Sequence, residues 1–88
     1  MSDWSLESLI EQVHGILRDE ILSVENGFSP ESNLIEAGLD SLAVTQLMLS
    51  IEERTGVWVD ESLLTPENLQ TSVTLASLVY EQLRSAAP

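Results

Sequence analysis

Cysteine and lysine are both missing from these 88 residues, and histidine occurs once. Without cysteine there is no disulfide framework, no thiolate metal site and no thiol nucleophile, and cysteine usage says nothing about the redox compartment. Stability must therefore come from apolar packing. No stretch approaches the roughly eighteen apolar residues of a membrane span, and the opening "MSDWSLESLI" lacks a basic region ahead of a long apolar run. A soluble, cytoplasmic protein is the expectation. The length suits a single domain over residues 1–88, with a core from about 5 to 84 and a tail over 85–88. Such a domain is too small for a deep catalytic cleft of its own.

Positive charge is also scarce. Fifteen Asp and Glu face only Arg18, Arg54 and Arg84, for a formal charge of −12. That surface repels phosphate backbones, so nucleic acid and anionic membranes are poor partners and proteins with basic patches are favoured. The groupings that mark catalysis are missing too. His14 lies off the best apolar stripe of the first helix, no acid partner can be assigned to it, and there is no Gly-x-Ser-x-Gly elbow. A serine hydrolase is thereby disfavoured and no catalytic residue is assigned. No acidic stretch has the alternating oxygen spacing of a calcium loop, and no metal site is assigned.

What the chain does have is helical periodicity. Leu6, Leu9, Ile10, Val13, Ile16, Leu17 and Ile21 form one stripe at helical spacing, which predicts a helix from about Ser5 to Leu22 with Gly15 weakening its middle. The next stretch, "SVENGFSPESNLIEAGLD", is broken by Asn26, Gly27, Pro30, Asn33 and Gly38. A loop this long in a small domain is pinned by its own apolar residues, here Phe28, Leu34, Ile35 and Leu39. A second helix starts at Asp40 or Ser41 and stops at Gly56, since Asp or Ser accepts first-turn amides and Gly ends helices. Its apolar residues are too many for one stripe. Leu47, Met48 and Ile51, with Thr45 or Val44, make an inward face, and Leu42 and Leu49 are left toward the surface. A short helical turn is expected near Glu61–Leu64 or Pro66–Leu69, and a last helix from near Ser72, capped by Thr71 or Ser72. "VWV" has no second strand to pair with. The fold class is therefore all-α: a small four-helix bundle of three longer helices and one short one, with a long ordered loop between helices one and two.

The order of these elements, with "GLDSL" opening the second helix and "EERTGV" closing it, resembles the acyl carrier proteins of fatty acid, polyketide and related pathways. The resemblance spans nearly the whole chain. It implies that Ser41, flanked by Asp40 and Leu42, carries 4′-phosphopantetheine through a phosphodiester, and that the arm's thiol holds cargo as a thioester. A phosphoester in the first turn of a helix lies at the positive end of the macrodipole. "DSL" alone is equally a plain helix cap. The expected partners are a phosphopantetheinyl transferase and acyl-loading and acyl-processing enzymes with basic docking patches, meeting a monomer. Glu36, Asp40, Glu52 and Glu53 are the acids at partner-facing positions, and Leu49, on one side of helix two with Leu42 and Glu52 or Glu53, supplies an apolar contact.

Departures from the family pattern at Ala43, Gln46, Arg54 and Thr55, and at Trp58 with Asp60, point away from general fatty acid synthesis. The expected function is an acyl carrier protein of fatty acid, polyketide or specialised lipid biosynthesis, since peptidyl carriers more often carry a Gly-Gly-His-Ser or Gly-Gly-Asp-Ser form. The alternatives are an aminoacyl or peptidyl carrier, and an interaction module of the same fold with no arm. Thr45 and Thr55 predict a less apolar interior, suited to short or polar cargo.

Overall fold

A computed structural model describes residues 4–22 and 27–86. Three helices carry the chain: α1 (Leu6–Ile16), α2 (Ser41–Thr55) and α3 (Ser72–Ala86). There is no strand among the described residues, and Val57–Asp60 has no regular secondary structure. The expected fourth helix is a single 3-10 turn, Glu61–Leu63, opened by Asp60, whose carboxylate accepts the Ser62 amide at 2.8 Å. Residues 66–69 form a further turn, closed by the Leu69 amide on the Thr65 carbonyl at 3.0 Å. The all-α class is thus as expected among the described residues, but with three helices and a 3-10 turn in place of the four-helix bundle.

Ser5 caps α1 in a reciprocal box: its hydroxyl accepts the Ser8 amide at 3.1 Å while its own amide donates to Ser8 Oγ at 3.0 Å. Beyond Ile16 the helix widens into a π turn, Leu17–Ile21, closed by the Leu22 amide on the Leu17 carbonyl at 2.8 Å. The helical stretch therefore reaches the expected length, with a looser last turn. Leu9, Val13, Ile16 and Leu17 are buried, and Ile10 and Ile21 pack against them half-buried. Thr71, rather than Ser72, caps α3, exchanging bonds with Thr74 at 3.0 and 3.1 Å. Ser72 is fully buried instead, and α3 continues to Ala86, two residues past the expected end of the core.

α1 packs most extensively on α3, and α2 lies against α1 and the π turn. Arg54, near the end of α2, bonds Glu20 in the π turn and reaches Gln12 on α1 at 3.5 Å. The long loop is fastened to the start of α3 by the Leu34 amide on the Gln70 carbonyl at 2.8 Å and the Val73 amide on the Pro30 carbonyl at 3.2 Å. Leu34 and Leu39 are buried pins as expected and Phe28 is half-buried, but Ile35 is 55% exposed and does not pin the loop. Ser23, Val24, Glu25 and Asn26 of that loop, and Ala87 and Pro88 of the tail, lie outside the described residues.

Candidate functional site

The approach to Ser41 is set by one turn of chain. Asn33 Oδ1 accepts the Glu36 amide at 2.9 Å and starts the turn, which Gly38 ends at φ +108°. The Gly38 amide bonds the Ile35 carbonyl at 3.1 Å and the Leu39 amide bonds the Leu34 carbonyl at 2.9 Å. This pair of bonds is a Schellman closure, and the apolar contact that accompanies such a closure is supplied here by the buried Leu34 and Leu39. A side chain at Gly38 would be strained at that φ, although nothing within 4 Å would crowd it. The sequence "NLIEAGL" therefore delivers Asp40 in an extended conformation at the mouth of α2.

Asp40 is the N-cap. Its Oδ1 accepts the Ala43 amide at 2.9 Å, and its carbonyl accepts the Val44 amide at 2.9 Å as the first bond of the helix. Ser41 and Leu42 occupy the first turn and are exposed, Leu42 at 67%. At the other end Gly56 adopts φ +77° and closes α2 through the Glu52 carbonyl at 2.8 Å. Ala43, Leu47, Met48 and Ile51 face the core, and Val44 is half-buried beside them. Two expectations change here. Thr45 is exposed, its hydroxyl donating to the Ser41 carbonyl at 3.1 Å, and Thr55 is half-buried with its hydroxyl on the Ile51 carbonyl at 2.8 Å. Neither threonine makes the interior polar, so they carry no argument for polar cargo. Ala43 fills the place left for a fourth inward residue, and its small size hid it.

Leu49 is 50% exposed, and Glu36, Glu52 and Glu53 are exposed as well. The fold thus brings Leu42, Leu49, Glu52 and Glu53 onto the outer side of α2, while Glu36 sits on the turn that leads into it. His14 is elsewhere, stacked on Phe28 with ring centroids 4.9 Å apart. Burial, reinforced by the charge of Arg18, holds the His14 imidazole below its ordinary pKa, and its Nδ1 has no hydrogen-bond partner among the described residues. It orders the loop against α1.

Beside Ser41 lies an open cleft of about 670 Å³ between α2, the 3-10 turn and the loop, bounded by Ile35, Asp40, Ser41, Thr45, Glu61 and Leu64. Sequence reasoning did not find this cleft, because Glu61 and Leu64, twenty or more positions from Ser41, come to line it only in the folded chain. Ile35, too exposed to pin the loop, forms part of its wall. An exposed hydroxyl in the first turn of a fifteen-residue helix, with first-turn amides unpaired inside the helix and room beside it, fits a phosphodiester-linked arm. The neighbouring carboxylates act against a second negative charge. Their effect is weakened by solvent, and Asp40 is already committed to the Ala43 amide.

The family pattern described as a phosphopantetheine attachment site matches residues 8–79. The chain belongs to that family. It is a carrier protein for covalently held 4′-phosphopantetheine. Aminoacyl carrier protein 1 of Bradyrhizobium diazoefficiens is 35% identical over 78 residues, covering 89% of this chain and 84% of the relative. Among solved structures, the carrier is similar to a chain in the crystal structure of Bradyrhizobium japonicum glycine:[carrier protein] ligase complexed with glycylated carrier protein. That match has 32% identity and a TM-score of 0.60, covering 83% of this chain and 96% of that one. A second structure of that ligase, with its cognate carrier protein and an analogue of glycyl adenylate, matches at 31% identity and a TM-score of 0.64, over 88% and 97% of the two chains. The first of these relatives is named an aminoacyl carrier protein, and the two solved chains are carrier proteins bound to a glycine ligase. The expectation of fatty acid, polyketide or lipid cargo gains no support from them, and the aminoacyl alternative is the better-backed reading. The resemblance carried by "GLDSL" does not separate these cargoes.

No helix of the described carrier is long and apolar enough to cross a membrane. No group of three or more potential metal ligands occurs among the described residues.

Proposed function

We propose that this protein is an aminoacyl carrier protein, holding a small amino acid on 4′-phosphopantetheine attached at Ser41. The observation that carries the reading is the 35% identity, across 89% of this chain, to a protein named as an aminoacyl carrier. Ser41 Oγ forms its bond to phosphorus as coenzyme A gives up its adenosine 3′,5′-bisphosphate, and the hydroxyl proton passes to a base on the transferase. The carrier itself needs no base, in keeping with an exposed serine and a histidine engaged on another helix. Once bound, the group supplies a terminal thiol that holds the amino acid as a thioester.

Asp40 keeps the first turn of α2 ordered, so that Ser41 is presented at a fixed place, and Leu42 lies exposed next to it for the transferase to grip. The loading enzyme is a ligase that activates the amino acid as its adenylate and carries a basic docking patch. Leu42 and Leu49 form the apolar centre of its footprint, with Glu36, Glu52 and Glu53 as the charged rim. Rim charges chiefly raise association rates and confer salt dependence, whereas an apolar anchor sets the lifetime of the complex.

The test is intact mass after incubation with a phosphopantetheinyl transferase and coenzyme A, for wild type and Ser41→Ala, followed by loading trials. Wild type should gain one phosphopantetheinyl group and Ser41→Ala none; a modified Ser41→Ala protein overturns the attachment site. The modified protein should then accept glycine from an amino acid:[carrier protein] ligase with ATP, and fail to accept malonyl groups from a malonyl transferase. Malonyl loading without aminoacyl loading would return the cargo to the fatty acid or polyketide class.

A further inference from the structure

The cleft beside Ser41 does not end there. It shares Val44, Thr45 and Glu61 with a second cleft of about 340 Å³ that is also bounded by Met48, Trp58 and Asp60. The two make one groove along α2. From Ser41 to Met48 the helix advances about 10 Å, the scale of a tethered arm rather than of a single side chain. Its walls change character along the way. Val44 and Met48 are apolar, Thr45 adds a hydroxyl, and the far end has a large ring, Trp58, that is 50% exposed and takes no place in the buried core. Asp60 and Glu61 line the same cleft as that ring, both exposed. Among the described residues the arginines pair elsewhere, Arg18 with Asp19, Arg54 with Glu20 and Arg84 with Glu81, so neither carboxylate is neutralised by a salt bridge.

An aromatic face flanked by two carboxylates is complementary to a small organic cation. It repels a carboxylate-bearing acyl group and favours an ammonium-bearing end over a neutral end of equal size, whereas the apolar walls, Val44, Met48 and Leu64, serve either alike. Resting on the aminoacyl carrier reading above, we propose that this groove holds the aminoacyl end of the arm on Ser41, with Trp58, Asp60 and Glu61 selecting its α-ammonium group. Asp60 is suited to the task, because hydrogen bonding from Ser62 holds its carboxyl below the usual range and keeps it ionised. The groove would keep the loaded thioester against the protein between encounters and would favour an aminoacyl cargo over a neutral acyl group of equal size.

The experiment uses the full-length protein carrying an arm that ends in a stable amide, either glycyl or propionyl. These two arms match in size and differ in charge. Intact mass establishes loading, and two-dimensional amide NMR reads the position of the arm. The glycyl form should shift the Trp58 indole N–H and the backbone amides from Val59 to Leu64 several-fold more than the propionyl form. The Trp4 indole, packed against the core, should stay put in both. The pair of substitutions Asp60→Asn and Glu61→Gln should bring the glycyl spectrum to the propionyl one, since asparagine keeps an acceptor for the Ser62 amide while the charge is lost. Equal shifts from both arms, a larger shift from propionyl, or glycyl shifts confined to the first turn of α2 would overturn the proposed groove while leaving the carrier reading intact. A chain that cannot be loaded at Ser41 would overturn the carrier reading and the groove together.

Discussion

α1 with its π turn and α2 are of similar length, yet they place their apolar residues differently. On the first, Leu9, Val13, Ile16 and Leu17 are buried, and no large apolar side chain stands exposed. On the second, Ala43, Leu47, Met48 and Ile51 are buried while Leu42 and Leu49 are 67% and 50% exposed. A helix whose only task is the core can put every apolar residue on one stripe. On the function proposed above, α2 also presents Ser41 and a surface for other proteins, which accounts for apolar residues divided between two faces. Leu47 and Leu49, two residues apart, are the sharpest form of the difference.

That pair gives the largest effect on stability. Leu47 is fully buried, and Leu47→Ala should cost about 2–5 kcal/mol, enough to lower the melting temperature by many degrees in a domain this small. Leu49→Ala should stay within about 0.5 kcal/mol of wild type, yet slow aminoacyl loading when rates are corrected for folded protein. Calorimetry and loading assays on both variants check this; a large stability loss in Leu49→Ala would erase the two-faced reading of α2. Asp40→Ala removes the cap on which the presentation of Ser41 depends, and should cost about 1 kcal/mol in denaturant unfolding. Asp40→Asn, which keeps the acceptor, should recover most of it. If alanine and asparagine cost the same, the bond to the Ala43 amide contributes little.

The smallest effect lies on the α1 side. The His14 pKa is lowered in the fold, first by burial and then by Arg18, with Asp19 opposing weakly. Just below the unfolded value of 6.5 the unfolded chain therefore binds more protons than the folded one. His14 costs nothing well above that pH. The cost grows as pH falls through 6.5 and is complete once pH is below the folded value. Melting temperatures of wild type and His14→Phe, whose ring can still stack on Phe28, should diverge on acidification, wild type falling relative to the variant. Parallel curves would show that the imidazole is as well solvated in the fold as out of it.

Local signals were legible wherever they act within a few residues. The caps at Asp40 and Gly56, the stripe from Leu6 to Ile21 and the start of α3 depend on backbone amides and helical spacing, and the folded chain has them where the sequence predicts. Signals that act across the chain were not. Ile35 reads as a pin because it follows Leu34 as a second large apolar residue in a polar loop, but the Schellman turn at Gly38 buries Leu34 and Leu39 and leaves Ile35 outside. Arg54 reads only as a departure from the family pattern. In the fold it ties α2 to Glu20, thirty-four positions away, a contact with no trace in local pattern. The cargo has no local signature either: the relatives favour the aminoacyl alternative over the fatty acid or polyketide reading, and "GLDSL" does not separate the two.

The sequence by itself determined that this chain would be helical, acidic and built around a serine at the head of its second helix. Each of these follows from residue type, from spacing along one helix or from simple charge, and none requires knowing which helix meets which. Only the tertiary structure decided that Thr45 faces outward, that Ile35 lies outside the core, and that Trp58, Asp60 and Glu61 join Val44 and Thr45 in a groove leading from Ser41. Those outcomes turn on how α2 rotates against α1 and where the 3-10 turn comes to rest. Many residues, each contributing little, settle that rotation together through close packing.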